Sequence, residues 1–368
     1  MPRRERGGET DRFPNSDHRL AEDGSPQSWI AYPHIFRMRL SEHYQEHPEK
    51  AEAIDAAMRA GDPAWRPVDS VMARWTSRRL GAMPTEDITR AFALLGMPLD
   101  EARFRELAAG HTSVIDLVMG LHPPEEYPEP YDSDFAWIGA LELWRRWLGR
   151  PCVEMIELDL CDGYIAMDAG DREVAIGHWE SVWDLLGRTV PVEVRSLEAA
   201  EEHLVDLYPG LLHEWCHDLC HALFDTSYGD RAVAERLLAF CEGMLARFPE
   251  TDRKLVLMLR TMAANSLAVL GRRGESDAAF GALVGSDPDE GAPYLFWGDS
   301  FWRRPTGGGW TSSIDDRRRA REIYEEGLRR GGPLEYAFKE RLRELLEHEN
   351  MGYGRGPGPP RMGRGRGR

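Results

Sequence analysis

Helical periodicity runs almost without interruption through residues 135–348, and this feature constrains the fold more than any other. Trp137, Leu141 and Trp144 recur at intervals of four and three residues, as on one face of a helix. Strand-like alternation is nearly absent, and PVEVRS at 191–196 is the only short candidate. Amphipathic helices without a sheet bury their apolar faces by packing on one another. The sequence therefore predicts an all-α fold.

An internal pattern within this range indicates a repeat. In the clearest copy, at 294–333, YLFWGDSF places Gly298 and Phe301 in a first helix. AREIY then places Ala320 and Tyr324 in a second helix. The glycine allows the two helices to approach, and the alanine and the aromatic side chain pack between them. Gly298 precedes Ala320 by 22 positions, about ten more than the repeat pattern has between its glycine and its alanine. The segment RRPTGGGWTSS lies in this interval, and we interpret it as an insertion between the helices.

Two earlier segments show a related pattern. In SLAVLGRRGESDAAFGALVGSDP, Gly271 stands at the turn between the helices and Phe280 in the second helix. Phe280 precedes Tyr324 by 44 positions, which matches one repeat of about 34 residues plus the insertion. A still earlier copy, DGYIAMDAGDREVAIGHWESVW, contributes Gly163, Ala175 and Trp179. These segments predict helix pairs that follow one another along the chain.

With this pattern, residues 135–348 resemble tetratricopeptide (TPR-like) repeat proteins. More loosely, WIGALELWRRWL with the later GY, GD and W resembles bacterial members of that group that often end in a short cysteine-rich zinc tail of the SecA type. No cysteine follows Cys241, so we expect neither the zinc tail nor the metal that it would bind. The resemblance implies a right-handed stack of helix pairs, with a concave groove that is lined mainly by first helices and usually binds a partner. We therefore expect a protein-interaction scaffold or adaptor without catalytic activity.

Composition divides the chain into five parts. Residues 1–27 and 349–368 are polar and contain Pro and Gly, so we expect disordered tails. Residues 28–121 are expected to form a small helical N-terminal region. The segment HPPEEYPEPYDSD, 122–134, is typical of a linker, and 135–348 forms the helical-repeat domain. The predicted fold is thus a helical-repeat solenoid with a small helical N-terminal subdomain.

Charge and cysteine content narrow the class of protein. The net charge of −17 argues against nucleic acid as the main partner and against anionic surfaces. Five cysteines, an odd number without a C-x-x-C pair, indicate a reducing compartment rather than a disulfide framework. The first residues lack the apolar core of a signal peptide, and no run approaches the roughly 18 apolar residues of a membrane helix. We expect a bacterial-type cytoplasmic protein.

The segment HEWCHDLCH, 213–221, begins with the zinc-peptidase pattern H-E-x-x-H. His213 and His217 would share one helix face and could bind one metal ion, with Glu214 as the base. Cys220 could supply a third ligand. The extended motif H-E-x-x-H-x-x-G-x-x-H requires glycine and histidine at positions where this chain has Cys220 and Phe224. We therefore interpret the segment as a structural helix and expect no cofactor. The alternatives are a structural or regulatory metal site, or a zinc-dependent hydrolase.

Two further segments have candidate binding roles. The insertion lacks the Lys-Ser/Thr of a phosphate loop, which argues against nucleotide binding. We interpret it as a partner-contact loop with Trp310 as anchor beside Arg303 and Arg304, because Trp and Arg are enriched at interface hot spots. A plain solvent loop is the alternative. Residues 349–368, which are rich in Arg and Gly, are interpreted as a flexible end of the chain. The alternative is that this tail makes weak, salt-sensitive contact with RNA.

Overall fold

A computed structural model of the chain describes residues 34–49, 51–52, 56, 73–204, 210–303 and 313–352. Within these ranges the structure is helical and contains no strand, and consecutive helices pack on one another. The predicted all-α class is therefore confirmed. The predicted tail at 1–27 and residues 353–368 of the C-terminal tail lie outside the described residues, whereas residues 349–352 continue the last helix.

Sixteen helices occupy most of the described ranges. In chain order they are α1 (His34–Glu46), α2 (Ser77–Gly81), α3 (Thr85–Leu94), α4 (Glu101–Ala108), α5 (Val114–Gly120), α6 (Ser133–Trp147), α7 (Val153–Asp168), α8 (Arg172–Thr189), α9 (Leu197–His203), α10 (Leu211–Ser227), α11 (Arg231–Arg247), α12 (Arg253–Val269), α13 (Arg273–Ser286), α14 (Gly291–Trp302), α15 (Ile314–Arg330) and α16 (Glu335–Gly352).

The chain divides into two compact units. The first unit extends to Val194 and includes 199–215. The second unit contains 195–198 and the chain from Cys216 onward. The divisions fall within α9 and α10, so each of these helices contributes residues to both units.

Side-chain caps fix helix starts in the first unit. Asp100 and Asp132 each accept a hydrogen bond from a backbone N–H of the first turn of α4 and α6. Ser113 caps α5 in the same way and donates its own hydroxyl to buried Glu154 at 2.6 Å. The same carboxylate oxygen accepts the backbone N–H of Ile115 at 2.9 Å. Glu154 therefore connects the start of α5 to α7 through one carboxylate oxygen, which accepts both hydrogen bonds.

Aromatic side chains from several elements build the core of the first unit around α6. Phe135 is fully buried and meets the ring of Trp75 edge-on, with centroids 5.0 Å apart. Tyr131 stacks on Trp75 at 5.8 Å and contacts Phe135 at 4.7 Å. Burying an aromatic ring of this size stabilises a fold by about 1.5–3 kcal/mol. Residues of the predicted 122–134 linker therefore pack onto the core of the first unit.

The pair α7–α8 is joined by a turn at Gly170, where φ is +82°. This left-handed conformation is readily accessible only to glycine. A Cβ on Gly163 of α7 would lie 2.2 Å from Nε1 of Trp179 on α8, so the helices meet at a distance that excludes a side chain. Trp179 is 1% exposed, and Ala175 is buried one turn earlier.

The second unit is a succession of helix pairs. In it α11 packs on α12, α12 on α13, α14 on α15 and α15 on α16, and α12 also contacts α14. Gly271, with φ of +80°, forms the turn between α12 and α13. Phe280 of α13 is buried and stacks on Trp297 of α14, with centroids 6.2 Å apart. The core thus continues from one pair to the next.

The strand candidate at 191–196 was wrong. These residues form a turn, in which the Val194 N–H donates to the Pro191 carbonyl at 3.1 Å, followed by a bend. Arg195 uses its carbonyl to accept the Glu250 N–H at 3.0 Å. A short alternating segment becomes a strand only beside a partner strand, and the described residues offer none. Among the described helices, none combines the length and apolar character needed to cross a membrane.

Candidate functional site

The structure brings together the predicted residues of the clearest repeat, in the pair α14–α15. A Cβ on Gly298 would lie 2.2 Å from Cε1 of Tyr324, well inside van der Waals contact. Ala320 and Tyr324 are fully buried, and Phe301 is 9% exposed. Glycine at 298 therefore allows the Tyr324 ring to lie directly on the backbone of α14.

The Tyr324 hydroxyl belongs to a buried polar network. It accepts a hydrogen bond from Nε1 of Trp302 at 2.7 Å and donates to Oδ1 of Asp299 at 2.5 Å. Arg341 of α16 donates its Nε–H to the same Asp299 oxygen at 3.0 Å. This network links α14, α15 and α16 by charge-assisted hydrogen bonds, which are stronger than neutral ones.

Burial dominates the electrostatics of this network. Burial raises the pKa of Asp299 above its usual range, although Arg341 and the Tyr324 hydrogen bond act in the opposite direction. The pKa of Tyr324 is raised by burial and by the neighbouring Asp299 charge, so the phenol stays protonated and remains the donor. The groups satisfy one another, which is the arrangement expected of a structural network.

Of the three residues predicted to contact a partner, Arg303 is the one that the structure describes. Its guanidinium lies 3.7 Å from Asp299 and 3.6 Å from Glu344, and its side chain is 30% exposed. Both of these ion pairs lie within the second unit. Arg304 and Trp310 lie outside the described residues.

The H-E-x-x-H segment lies on α10, as predicted, but the division between the two units falls inside it. His213 and Glu214 belong to the first unit and His217 to the second. The His217 side chain is half exposed, and its Nδ1 lies 3.2 Å from Asp218.

His217 also meets the ring of His221 in the second unit, with centroids 4.3 Å apart. Burial and the charge of His217 lower the pKa of His221. The folded state therefore favours the neutral form of His221.

Cys220, the third ligand in the alternative metal-site interpretation, packs in the protein core. It is fully buried, and its Sγ lies 4.0 Å from Sγ of Cys241 on α11. Burial raises the pKa of Cys220 well above its usual range. Because a metal binds the thiolate, this environment opposes ligation, whereas His217 on the same helix is half exposed.

Potential metal ligands converge elsewhere, on α7 and α8 of the first unit. Within the described ranges, Asp159, Asp162 and His178 are the only group of three His, Cys, Asp or Glu side chains whose ligand atoms all lie within 4.8 Å of one another. We call these three residues the Asp–His cluster. His178 Nδ1 lies 3.1 Å from Oδ1 of Asp159, and Ser181 donates its hydroxyl to Oδ2 of Asp159 at 2.6 Å.

Arg39 of α1 contacts the edge of the Asp–His cluster. Its Nη2 donates to Oδ2 of Asp162 at 2.6 Å, and its Nη1 donates to Glu42 at 2.6 Å. Burial, with the charges of Asp159 and Glu42, raises the pKa of Asp162, although Arg39 and His178 lower it. Burial, rather than the neighbouring charges, is therefore the main cause of the raised pKa of Asp162.

Sequence reasoning missed the Asp–His cluster. The available signal was D-x-x-D at 159–162, which places two carboxylates on one helix face, followed by H-x-x-S on the next helix. Such spacings are common on solvated helix faces, so the pattern by itself does not separate a site from a surface. Only the packing of α7 on α8 brings His178 to the carboxylates.

Comparison with protein-family models, curated proteins and solved structures finds no match for this chain. The fold itself defines the class: an all-helical protein whose second unit is built from consecutive helix pairs.

Proposed function

We propose that this chain is a protein-interaction scaffold of the tetratricopeptide-like type, which binds another protein or a peptide through its second unit. The observation that carries the proposal is the contact between first helices of successive pairs. Helix α12, the first helix of one pair, packs on α14, the first helix of the next pair. Phe224 of α10 also meets Phe296 of α14, with ring centroids 5.5 Å apart. Helical-repeat proteins hold partners on the extended surfaces that such stacking creates.

An aromatic group formed by α10, the turn that follows it, and α14 supports the proposal. Phe224, Tyr228 and Phe296 are each partly exposed, and Phe224 contacts Tyr228 at 5.1 Å as well as Phe296. Aromatic side chains are enriched in the centres of protein interfaces, where burying them excludes water from a large area. The predicted occupant is therefore a protein segment with apolar or aromatic side chains.

Site-specific crosslinking tests this function. A photoreactive phenylalanine analogue placed at Tyr228 of the full-length chain should form a discrete adduct with a partner in cells. The matched control places the same analogue at Tyr336 of α16, which is 76% exposed and outside the aromatic group. Phe296→Ala should abolish the adduct at 228 while the melting curve shows a folded protein. Equal crosslinking at both positions, or an adduct that survives Phe296→Ala, would refute the proposal.

The same partner experiment separates the alternatives. Peptide cleavage that disappears in Glu214→Gln would replace the scaffold with a zinc hydrolase. An RNA adduct that is lost when residues 353–368 are deleted would instead favour the RNA adaptor. We place the scaffold in a reducing, cytoplasmic compartment because all five cysteines are free thiols, and four of them are buried.

A further inference from the structure

We propose that Asp159, Asp162 and His178 bind a divalent first-row metal ion of the Mn²⁺ or Zn²⁺ class. This site lies wholly in the first unit, and it is independent of the proposed scaffold function of the second unit. It is also separate from the H-E-x-x-H segment on α10.

The distances in the Asp–His cluster are close to those of a coordination sphere. Oxygen and imidazole ligands lie about 2.0–2.2 Å from such a metal, so two ligands in tetrahedral geometry are about 3.3–3.6 Å apart. The three ligand atoms already lie within 4.8 Å of one another. The pair of Asp159 and His178 is already at 3.1 Å, and the longest separation must shorten by at most about 1.2–1.5 Å, which rotation of an Asp or His side chain provides.

The helix backbones hold the ligands in place. Gly163 follows Asp162 directly and Trp179 follows His178 directly. These two neighbours mark a close approach of α7 and α8, where a Cβ on the glycine would lie 2.2 Å from the indole. The interhelical distance beside the ligands is therefore fixed by packing, which limits the rearrangement that an ion requires.

Hydrogen bonding also orients the first carboxylate. Ser181 occupies Oδ2 of Asp159, which leaves Oδ1 directed at His178. Metal-binding carboxylates are commonly oriented by such outer hydrogen bonds. The side chains of Asp159, Asp162 and His178 are 24%, 22% and 35% exposed, so water can complete the coordination sphere.

The charge of the surroundings favours a cation. Asp162 and Glu42 share the guanidinium of Arg39, Asp159 contacts His178, and a histidine binds metals in its neutral form. Arg39 shares its charge between Glu42 and Asp162, at 2.6 Å from each. An arriving ion would compete with Arg39 for Asp162 while the Arg39–Glu42 pair remains. Arg39 therefore weakens the site, and its removal should strengthen metal binding.

The donor set selects the class of metal. Two carboxylate oxygens and one imidazole nitrogen suit Mn²⁺ and Zn²⁺, whereas thiolates are needed for Cu⁺ and all-oxygen sites for Ca²⁺ or Mg²⁺. A site with three protein ligands and partial exposure also keeps positions open for water.

The experiment is a Mn²⁺ titration of the purified full-length chain, followed by electron paramagnetic resonance of the free ion and repeated with Zn²⁺ by calorimetry. We expect about one ion per chain. Asp162→Asn and His178→Ala should each weaken binding at least tenfold. Arg39→Gln should tighten it several-fold, and a tenfold excess of Mg²⁺ should compete poorly.

His217→Ala is the matched control, since it removes a partly exposed histidine from the other candidate segment. It should leave the Mn²⁺ affinity unchanged. Binding that is lost in His217→Ala but retained in His178→Ala would overturn the proposal, as would affinities that no variant alters. A circular-dichroism melt of each variant confirms folding, and Ser181→Ala offers a milder change if His178→Ala is unfolded. Ser181→Ala should weaken binding, and an unchanged affinity in that folded variant would count against the site.

Discussion

Replacing Gly298 by alanine is the most direct test of how the helix pairs pack. The new Cβ would lie 2.2 Å from Cε1 of Tyr324, 2.6 Å from Cδ1 and 2.7 Å from Cζ, where ordinary contact requires about 3.5–4.0 Å. The ring cannot withdraw easily because it is fully buried and its hydroxyl is held by Trp302 and Asp299. Either the helices separate or these hydrogen bonds break.

The expected cost follows from these contacts. Overpacking a core costs about 1–3 kcal/mol, and loss of the two hydroxyl hydrogen bonds adds about 1–3 kcal/mol. The higher helix propensity of alanine returns about 1 kcal/mol. We therefore expect Gly298→Ala to lower the free energy of unfolding of the second unit by about 1–5 kcal/mol, a fall of roughly 2–20 °C in Tm.

Urea denaturation followed by far-ultraviolet circular dichroism measures this change. The matched control is Gly281→Ala on α13, because a Cβ there meets nothing within 4 Å. This control should be neutral or stabilise by up to about 1 kcal/mol. Equal stability of the two variants would refute the close packing of Tyr324 on Gly298.

Three other predictions follow from the same structure and sequence. Gly163→Ala should destabilise the first unit by about 1–3 kcal/mol in urea denaturation, because its Cβ would lie 2.2 Å from the buried Trp179 indole; an unchanged midpoint would contradict that contact. The pKa of His221 is lowered in the folded state, so the unfolded state binds more protons and stability falls as pH drops through about 6.5; His221→Gln should flatten this dependence in melts from pH 8 to 5, and an identical slope would count against it. Trp310→Ala, in the loop outside the described residues, should keep the wild-type Tm and lose the partner in a pull-down; lost stability with the partner retained would assign Trp310 to the core.

The sequence determined the helices because their signals are local. Apolar periodicity marks the buried face of each helix. The turn at Gly271 is also a local feature, because it depends on the glycine and its neighbours in the chain. Gly298 and Tyr324 could also be paired in advance, since a repeat of known period predicts which positions of two adjacent helices face each other. The strand candidate at 191–196 was wrong for the complementary reason: a strand depends on a distant partner, which a local pattern does not contain.

The tertiary structure alone decided which side chains meet across helices. H-E-x-x-H is a complete local motif, yet Cys220 on that helix faces Cys241 in the core while His217 is half exposed. Asp162 and His178 have no motif that joins them, yet packing of α7 on α8 brings their ligand atoms within 4.8 Å. The physical reason is that helical periodicity fixes the face of each residue but leaves open which helix covers that face, and the covering helix sets burial, charge and coordination.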